Sequence, residues 1–139
     1  MKKIRDIKMK NATDTKVRRS SAGLGLYAAK DFARGDTVIE YIGHRLRGAH
    51  DRDNRYLFRV SKTIDIDGSP RWNTARYVNH ACRPNCEAIN RRNRIFLVAK
   101  KSIKAGEELT YDYGKEYFSE YIEPGGCRCA SCLEKNLRA

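Results

Sequence analysis

The five cysteines of the chain fall into two groups. Cys82 and Cys86 lie in NHACRPNC (79–86), and Cys127, Cys129 and Cys132 lie in CRCASC (127–132). Three thiols spaced C-x-C-x2-C suit zinc, but a closed structural zinc site takes four ligands in a tetrahedron. The fourth must come from another part of the chain. Cys82 and Cys86 are the cysteine candidates, and His44, His50 and His80 are the histidine ones. The two cysteine groups are more than forty residues apart, so any site they share is made by folding.

The elements that bring such groups together belong to a single domain, since 139 residues leave no room for a second. The chain is long enough to bury a core, so a metal would assist the fold rather than replace it. The N-terminal MKKIRDIKMKN is basic with no apolar run behind it, which is neither a signal peptide nor a membrane span. An intracellular, reducing compartment is the expectation, and there clustered cysteines hold metal more often than they form disulfides.

The formal net charge is +12, which points to polyanionic or acidic partners, nucleic acid among them. The charge is uneven. Residues 1–20 and 83–104 each sum to +6, whereas residues 107–123 carry six acids against one lysine, a sum of −5. A basic peptide could be received at that acidic segment.

Short apolar runs alternate with turn signals, which predicts many short strands and few helices. Strands are expected over 25–32 and 37–43, with a turn at ARGD (33–36) between them. Residues 44–54 are polar and read as a loop or an irregular helical turn. A hairpin is expected from 55–61 and 63–67, and a second from 86–92 and 94–101 around Asn93. NTARYVNH (73–80) reads as a short helix capped by Asn73. A turn at Ala105-Gly106 leads into a strand, and KEYFSEYI (115–122) has helical spacing. The expected architecture is mainly β, built from small antiparallel sheets.

Read in order, the chain runs AGLGLYAAKDFARGDTVIEYIG, RYLFRV, ARYVNHACRPNCEA, AGEELTYDYG and CRCASC. That succession resembles a SET domain followed by a zinc-binding post-SET tail, the catalytic domain of protein-lysine methyltransferases. The resemblance covers about Lys16 to Leu133. It implies a β-clip-like fold with a knot-like crossing, in which the segments of Asn79 and Tyr113 interlock. The implied division is a basic extension over 1–15, a SET domain over 16–122 and a zinc-binding tail over 123–139.

Site roles follow from the resemblance, position by position. AGLG, which is Ala22, Gly23, Leu24 and Gly25, resembles the loop whose backbone approaches S-adenosylmethionine, and glycine permits such close approach. Asn79 and His80 resemble the pair that holds the cofactor. Tyr56 stands where the family has an aromatic near the cofactor and the lysine channel. Tyr113 matches the catalytic tyrosine. Tyr111, two residues earlier, shares its strand face and occupies the family's Phe/Tyr position, where a hydroxyl resists further methylation. Cys82 becomes the fourth zinc ligand beside Cys127, Cys129 and Cys132, and Cys86 remains as a small buried hydrophobe. This sequence departs from the family in its C-x-C-x2-C spacing, where C-x-C-x4-C is usual, and in Ala81, where serine is usual.

The implied activity is methyl transfer from S-adenosylmethionine to lysine in a basic protein (histone, histone-like or ribosomal), giving mainly mono- or dimethyl-lysine and S-adenosylhomocysteine. Localisation would be cytoplasmic or chromatin-associated, or in a host nucleus if the chain is a secreted effector. The oligomeric state would be monomer or homodimer. The competing readings are a nucleic-acid-binding module on a degenerate methyltransferase fold and a small zinc-bound interaction domain.

Overall fold

The computed structural model describes residues 14–21, 23–47 and 56–114. Among these described residues, ten short strands form three small sheets, and a single 3-10 turn at Thr74–Tyr77 interrupts them. The first sheet contains β1 (Thr15–Ser20), β2 (Gly23–Ala28), β10 (Glu108–Tyr111) and β7 (Asn79–His80), in that order. The second has β3 (Thr37–Tyr41), β9 (Arg94–Ala99) and β8 (Cys86–Arg91), and the third β4 (His44–Arg47), β6 (Ile64–Asp67) and β5 (Leu57–Arg59). The mainly β fold expected from the sequence is present. Among the described residues, no helix is long and apolar enough to cross a membrane.

Leu26, Ile95, Leu97, Ile103 and Leu109 are essentially inaccessible to solvent. They come from β2, β9, β10 and the loop before β10, so the first two sheets close over one core. Each such side chain contributes about 1.5–3 kcal/mol by leaving water. The β8–β9 hairpin turns through Arg92 and Asn93 with φ of 53° and 63°. That pair of left-handed residues suits the right-handed twist of a two-residue hairpin. The Asn90 side chain accepts from the Asn93 amide at 3.0 Å and fixes the turn.

Several elements differ from the sequence expectation. Residues 44–47 are not a loop or helical turn. They form β4, paired with β6 from His44↔Asp67 to Arg47↔Ile64. The polar composition there reflects exposure of three of its four residues, not lack of structure. The strand expected over 25–32 begins at Gly23 and ends at Ala28, with Phe32 returning to the core through an isolated bridge to Ile103. The sequence reading did not anticipate β1, because Lys16, Val17, Arg18 and Arg19 are all exposed and hide any alternation. It is held instead by full pairing with β2.

The helix expected over 73–80 is only the 3-10 turn, and Asn79–His80 is extended. Asn73 sits at the cap position but makes no capping bond. Its fully buried side chain accepts from the Ile42 amide at 3.1 Å and donates to the Gly68 carbonyl at 3.0 Å. Tertiary partners have taken over a residue type that usually serves its own helix. The expected helix at 115–122 and the tail cysteines lie outside the described residues.

Candidate active site

The strands β7 and β10 pair in parallel, Thr110 with Asn79 and Tyr111 with His80, whereas the other strand pairs in these sheets are antiparallel. This pairing sets two segments about thirty residues apart side by side. Just past β10, the Tyr113 amide donates to His80 Nδ1 at 3.1 Å. The Tyr113 hydroxyl donates to the Val78 carbonyl in a short hydrogen bond. Tyr113 is therefore fixed at both ends to the strand that carries Asn79 and His80.

With Nδ1 accepting, the His80 imidazole is neutral and carries its proton on Nε2. Burial lowers its pKa, and Asp112, 3.7 Å from Nδ1, opposes this only in part. Asp112 is well exposed, so water screens the pair.

A row of aromatic rings leads inward from this point. His80 meets Tyr113 edge-on at 5.4 Å, Tyr113 meets Tyr111 at 4.7 Å, Tyr111 stacks on Phe58 at 6.5 Å, and Phe58 meets Tyr41 at 5.4 Å. Tyr111 and Tyr41 are buried, while Phe58 and Tyr113 are partly so. The Tyr41 hydroxyl donates to the Tyr56 carbonyl at 2.6 Å, and the Gly68 amide donates to the same oxygen at 3.0 Å. A Cβ at Gly68 would run into the Tyr41 ring, so only glycine lets this chain pass there. Tyr56 joins the row through its backbone, and its ring lies against Arg76 at 4.5 Å.

The glycine segment forms the start of β2. Gly23 has φ of 100° and open space where a side chain would stand, and Leu24 is 51% exposed. Gly25 is the crowded position, because a Cβ there would meet the Glu108 carboxylate, Ser20 and the Asn79 amide. Asn79 Nδ2 lies 3.0 Å from Ser20 Oγ, 2.9 Å from the Leu24 carbonyl and 3.0 Å from Glu108 Oε2. That is three acceptors around a group with two hydrogens. Asn79 thus ties the glycine segment to β7 and β10. Ala22 lies outside the described residues.

The two described cysteines have opposite environments. Cys82 is exposed, with Sγ 3.7 Å from His80 Nε2. Cys86 is fully buried in the core, and burial pushes its thiol pKa up to about 12. That environment suits a hydrophobe and not a metal ligand. No cluster of three His, Cys, Asp or Glu side chains that could hold a metal occurs among the described residues. Cys127, Cys129 and Cys132 are not among them.

Several site residues escaped the sequence reading. The sequence shows Tyr41 and Phe58 only as strand residues, because no local pattern reveals the ring contact between β3 and β5 that joins them. Arg76 precedes Asn79 by three residues and has no acidic partner among the described residues. Asn85 follows Pro84 in the same NHACRPNC motif, and proline-asparagine before a strand is a turn signal. The Asn85 side chain donates to the Glu108 carbonyl at 2.8 Å and accepts from the Thr110 amide at 3.0 Å. It clamps β10 in place from the far side of the turn.

Comparison with known proteins agrees with this geometry. The SET domain family matches residues 23–114. The chain is 40% identical over 122 residues to a histone-lysine N-methyltransferase, H3 lysine-4 specific, of Mycosarcoma maydis, covering 77% of this chain and 8% of that protein. It is 41% identical over 125 residues to human histone-lysine N-methyltransferase 2D, covering 79% of this chain and 2% of that protein. It is 38% identical over 122 residues to the H3 lysine-4 specific enzyme of Saccharomyces cerevisiae, covering 77% of this chain and 11% of that protein. The chain therefore spans only a small fraction of the length of these relatives. The family match over most of the chain, together with the joined Asn79-His80 and Tyr113 segments, shows that this protein belongs to the SET domain family.

Proposed function

We propose that the chain is a protein-lysine methyltransferase acting on a basic protein, a histone or histone-like protein foremost, with S-adenosylmethionine as donor. The observation that carries this reading is the Tyr113 hydroxyl held on the Val78 carbonyl, at one end of an aromatic row and beside His80. The relatives' names supply the substrate class: they are histone-lysine methyltransferases.

Residues at the start of β2 and in β7 fit an amino-acid cofactor. The open space at Gly23 and exposed Leu24 leave main chain accessible. Asn79 spends its Nδ2 on the protein, which leaves its Oδ1 to accept from a ligand's ammonium. S-adenosylmethionine, when bound, supplies a methyl group on a positive sulfonium and leaves as S-adenosylhomocysteine.

The chain's own residues prepare the amine. Free lysine has a pKa of ~10.4 and must lose its proton to attack. The aromatic row of Tyr41, Phe58, Tyr111 and Tyr113 disfavours an ammonium by desolvation. Tyr113 orients the nitrogen, and alignment within ~3–3.5 Å of the methyl carbon supplies most of the remaining acceleration. The Tyr111 hydroxyl occupies space a methylated amine would need, so the main products are mono- and dimethyl-lysine. The acidic 107–123 segment attracts a basic substrate.

A zinc ion held by Cys82, Cys127, Cys129 and Cys132 completes the reading. The exposed thiol of Cys82 and the buried one of Cys86 support Cys82 as the ligand, and four thiolates suit a closed structural site. Such a metal would anchor the tail over 123–139 beside His80.

The test is tritiated S-adenosylmethionine with core histones and a ribosomal protein mixture, for wild type and Tyr113→Phe. Label on histone lysines with wild type and its loss in the variant is the expected result. The basic surface favours the rival reading, a nucleic-acid-binding module without activity. Absence of label on every substrate, with nucleic acid bound, would establish that instead.

A further inference from the structure

The tip of the β8–β9 hairpin departs from what a stable turn asks for. A two-residue turn with both φ positive is best served by Asn-Gly, yet Arg92 and Asn93 hold it, with φ of 53° and 63°. Arginine is an uncommon occupant of that region. The residues that flank the turn, Arg91 and Arg94, are cross-strand partners, and like charges directly opposite each other are destabilising. Three arginines thus stand within four residues where local physics favours other side chains, and all three are exposed. Breaches of this kind concentrate at functional sites.

The tip is held in place. The Asn90 side chain accepts from the Asn93 amide at 3.0 Å and donates to the Val60 carbonyl at 2.8 Å, which ties the hairpin to the end of β5. Arg91 and Arg94 share one face, over the partly buried Phe96 ring at 5.9 and 5.1 Å. Glu40 holds Arg94 in a bidentate pair at 2.6 and 2.9 Å. Glu87, the other acid on that face, lies near the opposite end of β8. The chain outside the described residues carries no net negative charge, since 48–55 and 115–139 each hold equal numbers of acids and bases and 1–13 is basic.

We propose that the hairpin tip, through Arg91 and Arg92, binds the phosphate backbone of double-stranded DNA. A guanidinium stays charged and matches a phosphate with two parallel hydrogen bonds. A DNA duplex offers a phosphate every ~1.7 Å of its axis, a fixed row that neighbouring arginines can engage together. An acidic polypeptide presents no such row. The choice of DNA rests on the lysine methyltransferase reading. At a net charge of +12 the protein repels a basic substrate at long range, and DNA held by both removes that repulsion. The tip lies roughly 17 Å along β8 from Cys86, so it docks DNA without entering the reaction site.

The experiment measures fluorescence anisotropy of a labelled DNA duplex between about 50 and 200 mM salt. It compares wild type with a tip variant (Arg91→Gln with Arg92→Asn), a turn variant (Arg92→Asn with Asn93→Gly) and a β1 variant (Lys16→Gln with Arg18→Gln). The tip variant should lose roughly 10-fold in affinity and lower the salt slope by roughly 2. The β1 variant removes as many charges and should stay within about threefold of wild type. The turn variant should bind DNA more weakly while resisting urea at least as well as wild type. An unchanged tip variant overturns the inference, and so does an equal loss in the β1 variant, which would make the attraction diffuse. A less stable turn variant overturns it by assigning Arg92 to the fold. Equal tip-dependent binding of polyglutamate or of an RNA duplex overturns the choice of DNA. Methylation of a free histone H3 peptide should be the same in wild type and tip variant. A wild type that methylates nothing yet binds DNA through the tip sinks the methyltransferase reading alone; an active wild type with none of these binding changes sinks this inference alone.

Discussion

The Tyr113 hydroxyl is bonded to the carbonyl of Val78, a residue thirty-five positions away and next to the Asn79–His80 strand. The bond fixes the phenol's direction before any substrate arrives. Tyr113→Phe keeps the ring contacts to Tyr111 and His80 and removes only the oxygen. The expected result is a fall in kcat of roughly 100-fold or more, about 2.7 kcal/mol of lost transition-state stabilisation. Cofactor affinity by calorimetry should change less than threefold. An equal loss in both quantities would assign the hydroxyl to binding, not catalysis.

Tyr111 is buried and in contact with Tyr113 at 4.7 Å, and on the proposed reading its hydroxyl limits the space around the acceptor nitrogen. Mass spectrometry of a histone H3 peptide after exhaustive reaction should show mono- and dimethyl-lysine with wild type. Tyr111→Phe should extend the series to trimethyl-lysine. Identical product distributions for the two proteins would remove Tyr111 from product control.

Asn85 makes four hydrogen bonds with β10: its side chain meets the Glu108 carbonyl, the Thr110 amide and the Thr110 hydroxyl, and its backbone amide donates to that same hydroxyl. Its replacement by alanine removes the side-chain partner of the part-buried Glu108 carbonyl and Thr110 amide. Each such group costs about 1–3 kcal/mol, so Asn85→Ala should lose roughly 2–4 kcal/mol in a urea titration. Loss below 0.5 kcal/mol would mean that water replaces the side chain.

Cys86, with its thiol pushed up to about 12 by burial, is almost wholly protonated at pH 8. The thiolate is the reactive species, so iodoacetamide should leave Cys86 unlabelled in the folded protein. The exposed Cys82 should be protected while zinc is bound and alkylate readily after chelator treatment. Peptide mapping that found Cys82 equally reactive before and after chelation would exclude it as a ligand.

The sequence revealed the site unevenly, for physical reasons. The β8–β9 hairpin is legible because alternation and a turn asparagine act locally. Asn79, His80, Tyr111 and Tyr113 are legible through resemblance, since nothing in their spacing says that β7 and β10 pair in parallel. β1 is invisible because its exposed charges obey no pattern, and its strand character comes wholly from β2. Asn73 misleads because a residue type that commonly caps helices is here buried between Ile42 and Gly68. Arg76 escapes notice because a lone arginine beside tyrosines acquires meaning only once Tyr56, twenty residues earlier, is folded against it.

The strand β10 lies between β2 and β7, and so joins an early part of the chain to its middle only after residue 108 has been made. A nascent chain emerging from the ribosome therefore exposes Asn79 and His80 before their partner exists. Closing so long a loop slows folding, and the junction of β7 with β10 forms among the last events. Any truncation before Tyr111 removes the Tyr111 partner of His80 and the Tyr113 ring beside it in one step.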